Sequence, residues 1–278
     1  MQKIDAQNIH YKELNFMIRE GIAKGEKHFV ITNVNGHRYT GDGIKGEDVV
    51  IELHGTGGND LAAFMNGPTI RLYGNAQDGV ANTMNAGEVF VHGDAGDVLS
   101  YGMRGGTAFI KGDVGYRVGI HMKEYLSFVP KVVIGGCAGD FFGEYMAGGI
   151  LVLLGLNASE SKPIVGDYCA TGMHGGRMYI RGEVNEYRMG KEAKAFDLDD
   201  DDRALLNPLL EGFCNEFGYK REDIIKKKFC KLIPVSKRPY GRHYVPGWHL
   251  LTNRDILFPK SYEDQGLGYP RVRNIRNR

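Results

Sequence analysis

No CxxC pair occurs in this chain, and its four cysteines (Cys137, Cys169, Cys214, Cys230) lie far apart. A zinc or iron–sulfur site built by this chain alone is not expected, and reduced thiols are the expected state. No apolar run approaches the roughly 20 residues that a membrane-spanning helix needs. The opening MQKIDAQNIHYKEL has no apolar core of a secretory signal, so a cytoplasmic location is expected. Net charge is only +1, which excludes a global field drawing the protein to nucleic acid or acidic lipid. Proline is scarce, at nine residues, and no G-X-Y period occurs, which excludes collagen. Against these absences stand 40 glycines in 278 residues, about twice ordinary usage. Glycine at that density means disorder or the punctuation of a repeat.

The spacing decides for a repeat. Short apolar runs end in glycine at Gly55, Gly74, Gly93 and Gly112, each 19 residues after the last. Gly136, Gly155 and Gly182 follow at intervals of 24, 19 and 27. KEYLSFVP (123–130) and NASESKPIV (157–165) are the extra pieces. Three more columns hold the register. An acidic or polar column reads Asp60, Asp78, Asp97, Tyr116, Asp140, Asp167. Three residues on, a small column reads Ala63, Ala81, Ser100, Gly119, Gly143, Ala170. Five or six residues after the acidic position stand Met65, Met84, Met103, Met122, Met146 and Met173, six of the ten methionines.

The runs before each glycine alternate, as in Ile70-x-Leu72, Val89-x-Val91 and Met178-x-Ile180. A period of two is a strand with one buried face. Nineteen residues suffice for three short strands joined by corners. The expected fold is therefore mainly β, a single-stranded right-handed parallel β-helix of about 19-residue turns, with like residues stacked roughly 4.8 Å apart. Glycines supply positive φ at corners, and methionines fill the irregular interior.

Four segments follow. Residues 1–45 are expected as a cap: a helix over 11–25, from Leu14, Ile18 and Ile22 at helical spacing, then a hairpin turning at Asn35-Gly36. Residues 46–190 are the repeat. Residues 191–236 hold C-terminal helices, with acids at the start of the first complementing its dipole, and a strand in or near 221–233. Residues 237–278 carry nine Lys/Arg and three Asp/Glu and are expected as a basic extended arm that wraps a partner.

GNDLAAFMNGPTIRLYGNAQDGVANTMNAGEVFVHG (58–93) resembles the C-terminal β-helix, or GXGXG, domain of the glutamate synthase large subunit. GDFFGEYMAGGILVLLG (139–155) is similar to that domain's E-Y-M-T-G-G turn, with Ala147 in place of threonine. CATGMHGGRMYIRG (169–182) is similar to its A-G-M-T-G-G turn, and FCKLIPVSKRPY (229–240) to its closing segment. A related β-helix occurs in one of the subunits of formylmethanofuran dehydrogenase. The resemblance implies a free-standing scaffold domain with no catalytic residue and no cofactor of its own. It implies glutamine amidotransferase-like and FMN-binding partners, the latter with an iron–sulfur cluster, serving glutamate biosynthesis.

Read from the residues alone, the aspartate column is the tempting active site. Stacked carboxylates do acid–base work in some carbohydrate-active β-helices, and an independent enzyme using Asp78 and Asp97 is the rival reading. Against it stands the turn role, in which aspartate accepts backbone N–H groups at corners. The pairs Gly105-Gly106, Gly148-Gly149 and Gly175-Gly176 precede strands rather than helices, so they are corners and not phosphate loops. The dispersed histidines His54, His92, His121 and His174 are not expected to bind metal. Cys137 and Cys169 are expected as buried small residues rather than nucleophiles. No catalytic, cofactor-binding or metal residue is assigned.

Overall fold

The computed structural model describes residues 1–159 and 162–235. The basic segment 237–278 and part of the 157–165 insertion lie outside the described residues. The chain opens with β1 (Gln2–Asp5), α1 (Tyr11–Ala23) and β2 (His28–His37). One strand per coil follows: β3 (Val50–Gly57), β4 (Asn66–Tyr73), β5 (Ala86–Val91), β6 (Thr107–Ile110), β7 (Lys131–Ile134), β8 (Ala147–Leu153) and β9 (Gly175–Arg181). Then come β10 (Ala193–Asp197), α2 (Asp200–Phe217), α3 (Arg221–Ile225) and β11 (Phe229–Pro234).

All eleven strands form one sheet, ordered β1-β2-β3-β4-β5-β6-β7-β8-β9-β11-β10. From β1 to β9 every pair is parallel and joins neighbours in sequence. A chain does this by winding once per strand, so the protein is a parallel β-solenoid. The register stacks like on like. Ile51, Ile70, Val89, Ala108, Val132, Leu151 and Met178 form one file. Each is fully buried, as are all six methionines of the predicted column.

Gly55, Gly74, Gly155 and Gly182 take the expected positive φ, whereas Gly93, Gly112 and Gly136 do not and are needed for close contact alone. Gly74 has φ +153°, and a Cβ there would lie 1.9 Å from the carbonyl oxygen of Gly55 in the coil before. The backbone of one coil rests directly on the backbone of the last.

Three strands per coil is not what forms. One face is the sheet. A second is a single file of bridges through Gly57, Ala76, Ala95, Val114, Ala138 and Val165. The third is a stack of tight turns. The N-terminal segment also departs from expectation. Asn35-Gly36 does not reverse the chain, and His28–His37 runs as one strand, parallel to both β1 and β3. Its register slips around Asn35, so the flexible pair makes an irregularity inside a strand instead of a hairpin. Leu14 and Ile18 of α1 join Ile4, Phe29 and Ile31 in the solenoid core, so a helix fills the first coil.

The other end is closed by reversal. β11 runs antiparallel to β9, and β10 antiparallel to β11. Between these strands α2 folds back over the outside of the sheet. Its N-terminus carries a capping box of Asp199 and Asp202, and Gly218 ends it at φ +75°. Leu206, Leu209, Leu210, Phe213 and Phe217 recur at helical spacing. They cover Phe90, Phe109, Val133, Val152 and Tyr179 of the sheet. Each such side chain contributes about 1.5–3 kcal/mol on burial.

Candidate functional site

The stack of turns presents the candidate surface. Seven triplets have positive φ at alternate residues, among them Asp60/Ala62/Phe64, Gly79/Ala81/Thr83, Arg117/Gly119/His121 and Phe141/Gly143/Tyr145. Alternate residues bond to opposite neighbours. Gly79 N donates to Asp97 O in the next coil (2.9 Å), Ala81 N to Leu61 O in the previous one (2.8 Å), and Thr83 N to Tyr101 O in the next (2.8 Å). Left-handed backbone costs an ordinary residue about 1–2 kcal/mol. Satisfied inter-coil hydrogen bonds offset that strain.

The middle member of each triplet faces the core, which explains the small column. A Cβ on Gly119 would meet Leu151 at 2.6 Å, and one on Gly143 would meet the Met178 sulfur at 2.7 Å. In the earliest of these coils the register is one residue off the sequence reading. The structure puts Asn59 in the acidic column and Ala62 in the small one, so Asp60 and Ala63 each stand one position later.

The remaining aspartates bond along the axis. Asp78 Oδ1 accepts from Asp97 N (2.9 Å), and Asp97 Oδ1 accepts from Tyr116 N (2.8 Å). Asp140 Oδ1 accepts from Asp167 N (2.8 Å), and Asp167 pairs with Arg188 (2.5 Å). A second ladder runs beside it through Asn75, Asp94 and Asp113 to the N–H of Cys137. Each carboxylate thus holds the coil above, which is the turn role.

The first and third members of the triplets point outward; Arg117, His121, Phe141, Tyr145 and Tyr168 are among them, and Tyr101 and Tyr116 lie beside them in the turns. Tyr101, Tyr116, Tyr145 and Tyr168 leave between 42% and 58% of their surface in solvent. Two files run along the axis. Tyr101 meets His121 edge-on (5.8 Å), and His121 stacks on Tyr145 (5.4 Å). Arg117 lies over Phe141 (4.5 Å), and Phe141 stacks on Tyr168 (4.9 Å). Between the files Glu144 is buried, with Arg117 Nη1 3.4 Å from its Oε2. That oxygen makes no hydrogen bond among the described residues. The result is a face of tyrosine and arginine over a buried carboxylate that Arg117 neutralises. Such composition marks the centre of protein interfaces. Sequence reasoning missed it. Tyr116 entered only as an exception in the acidic column, although the aromatics recur at fixed places in the repeat.

The histidines divide between two faces. His54, Tyr73 and His92 stack on the sheet at 4.7 and 4.6 Å, whereas His121 belongs to the aromatic face. Glu216 of α2 binds His92 (3.0 Å) and Arg71 (3.2 Å), locking the helix to the sheet. Burial pushes the Tyr73 hydroxyl up, with Glu52 and Glu216 adding to it. No group of three His, Cys, Asp or Glu side chains is placed to hold a metal ion among the described residues. All four cysteines are free. Burial raises each thiol, most of all Cys169, and Asp113 adds to the effect at Cys137. Cys169 is fully buried in the core as expected, whereas Cys137 is only partly buried against it.

The GXGXG motif family matches residues 26–235. An uncharacterized protein of Methanocaldococcus jannaschii is 46% identical over 250 residues, covering 87% of this chain and 96% of the relative. The chain belongs to the GXGXG family.

Proposed function

We propose that this member of the GXGXG family is a structural subunit of a glutamate synthase-like complex, and that it holds catalytic partners in place. The observation that carries the reading is the exposed tyrosine–arginine face, built on a backbone stapled from coil to coil. Family membership and the turns at 139–155 and 169–182 favour the glutamate synthase setting over other redox assemblies. There, a glutamine amidotransferase-like partner releases ammonia. An FMN-binding partner with an iron–sulfur cluster uses it in reductive amination of 2-oxoglutarate. This chain's share is position: a scaffold for both, with Tyr145 and Tyr168 as anchors.

The test is affinity capture of the tagged full chain from the native organism, followed by identification of bound proteins and cofactors. Recovery of a flavoprotein together with a glutamine amidotransferase supports the reading. Their loss with Tyr145→Ser/Tyr168→Ser, at unchanged melting temperature, assigns the contact to this face. Recovery of a molybdopterin protein instead, or of neither partner, overturns it.

A further inference from the structure

Beside the aromatic face, the residue after the core methionine points outward in four consecutive coils and makes a polar file. Asn66, Asn85, Arg104 and Lys123 follow Met65, Met84, Met103 and Met122. Consecutive coils place these side chains about one strand spacing apart, roughly 4.8 Å. Two amides are therefore followed by two cations. Neither Arg104 nor Lys123 has an ion-pair partner among the described residues. The adjacent carboxylate, Glu124, is turned away to accept from Gly149 N (3.2 Å). Two like charges at that spacing repel each other, and an anion between them relieves the repulsion.

The insertion at 123–130 supplies a wall. Tyr125 and Phe128 bond each other in both directions, N to O at 3.0 Å each way, in a tight reversal with Leu126 at φ +55°. Directly opposed residues of an antiparallel pair project to one side. Both rings line the groove that also holds Asn66, Asn85, Arg104 and Lys123, with a volume of about 530 Å³. The solenoid itself does not need this loop, because other coils close in 19 residues without it.

We propose that this groove binds a nucleoside monophosphate. Arg104 and Lys123 take the phosphate, Tyr125 and Phe128 stack on the base, and Asn66 and Asn85 bond its edge. The volume suits a single mononucleotide-sized ligand. The site is separate from the proposed scaffold role, and it stands or falls without it.

The test is calorimetric titration of the full chain with AMP, GMP, CMP and UMP, and with adenosine and inorganic phosphate as half-ligands. At least one nucleotide is expected to bind at one site, with both half-ligands weaker by about tenfold or more. Arg104→Gln and Lys123→Gln are each expected to weaken nucleotide by about tenfold, and to weaken phosphate as well. Tyr125→Leu/Phe128→Leu should weaken nucleotide and leave phosphate unchanged. All these positions are on the surface, so melting temperatures should match the parent. The proposal is overturned if no nucleotide binds saturably, or if phosphate alone binds as tightly as nucleotide. It is also overturned if an acidic peptide competes as well as nucleotide, or if the Arg104 and Lys123 variants bind normally.

Discussion

Two glycine-to-alanine changes separate contact from conformation. Gly102 has φ +56°, and the nearest atom to a built Cβ is the Thr83 hydroxyl at 3.7 Å. Ala62 and Ala81 already adopt φ +63° and +57° in neighbouring triplets. Gly102→Ala should therefore cost only the left-handed strain, about 1 kcal/mol. Loss of unfolded-state freedom returns roughly 0.4–1 kcal/mol of that. Gly74 is different. Its φ of +153° lies outside the region Ala62 and Ala81 use, and its Cβ would sit 1.9 Å from Gly55 O. Gly55 cannot retreat, because it is packed in turn on Val34 O. Gly74→Ala should cost about 3 kcal/mol or more. At roughly 2–4 °C per kcal/mol for a chain of this size, the two variants should melt at least ~5 °C apart. Urea unfolding followed by circular dichroism reads both. Equal losses for the two variants would refute the claim that coil-on-coil backbone contact fixes the corner column.

The methionine file and the aspartate ladders give further expectations. Met103→Ala opens a cavity at a fully buried site and should cost about 2–5 kcal/mol, whereas Met103→Leu should cost under about 1.5 kcal/mol; denaturant titration compares them. Asp97→Ala removes the acceptor for Tyr116 N and should lower stability by about 1 kcal/mol in the same assay, with secondary structure intact. The backbone N–H of Asp202, together with the Lys231 ammonium, holds the Asp199 carboxyl down at about 2, from an ordinary 3.8. A depressed carboxylate stabilises the fold above its unfolded value and loses that contribution as pH falls through the folded one. Asp199→Asn keeps an N-cap acceptor, so its stability deficit should be present near pH 6 and should vanish between about pH 4 and 2 in acid-unfolding curves.

The solenoid is legible in the sequence because stacking converts a spatial neighbour into a fixed sequence interval. Gly55, Gly74, Gly93 and Gly112 each meet the coil before too closely for a side chain, Gly55 and Gly74 at a backbone oxygen and Gly93 and Gly112 at the Oδ1 of Asn75 and Asp94, and the six methionines obey one interior. What escapes is whatever depends on a single coil. Asn35-Gly36 carries the local chemistry of a hairpin, yet partners on both sides hold β2 straight, and tertiary pairing prevails. The turn stack escapes because its dihedral pattern is carried by Phe64, Thr83, Val98 and Arg117, residues with no left-handed signature of their own. Asp60 looks aligned with Asp78 until the bridge from Gly57 to Ala76 fixes the true register. The aromatic face is written in the repeat, but it shows only when Tyr101, Tyr145 and Tyr168 are counted as occupants of one surface.

Because β1 to β9 stack at a constant spacing, separation along the axis comes in whole steps. Nine parallel strands make eight steps of about 4.8 Å, or roughly 38 Å in all. Among the described residues, α1 fills the first coil, and β11 and β10 carry the sheet past the last one in the reverse direction. The fold is in effect a ruler. Excising or duplicating one 19-residue coil would shift anything gripped at one extremity relative to the other by a single graduation, with no intermediate value available.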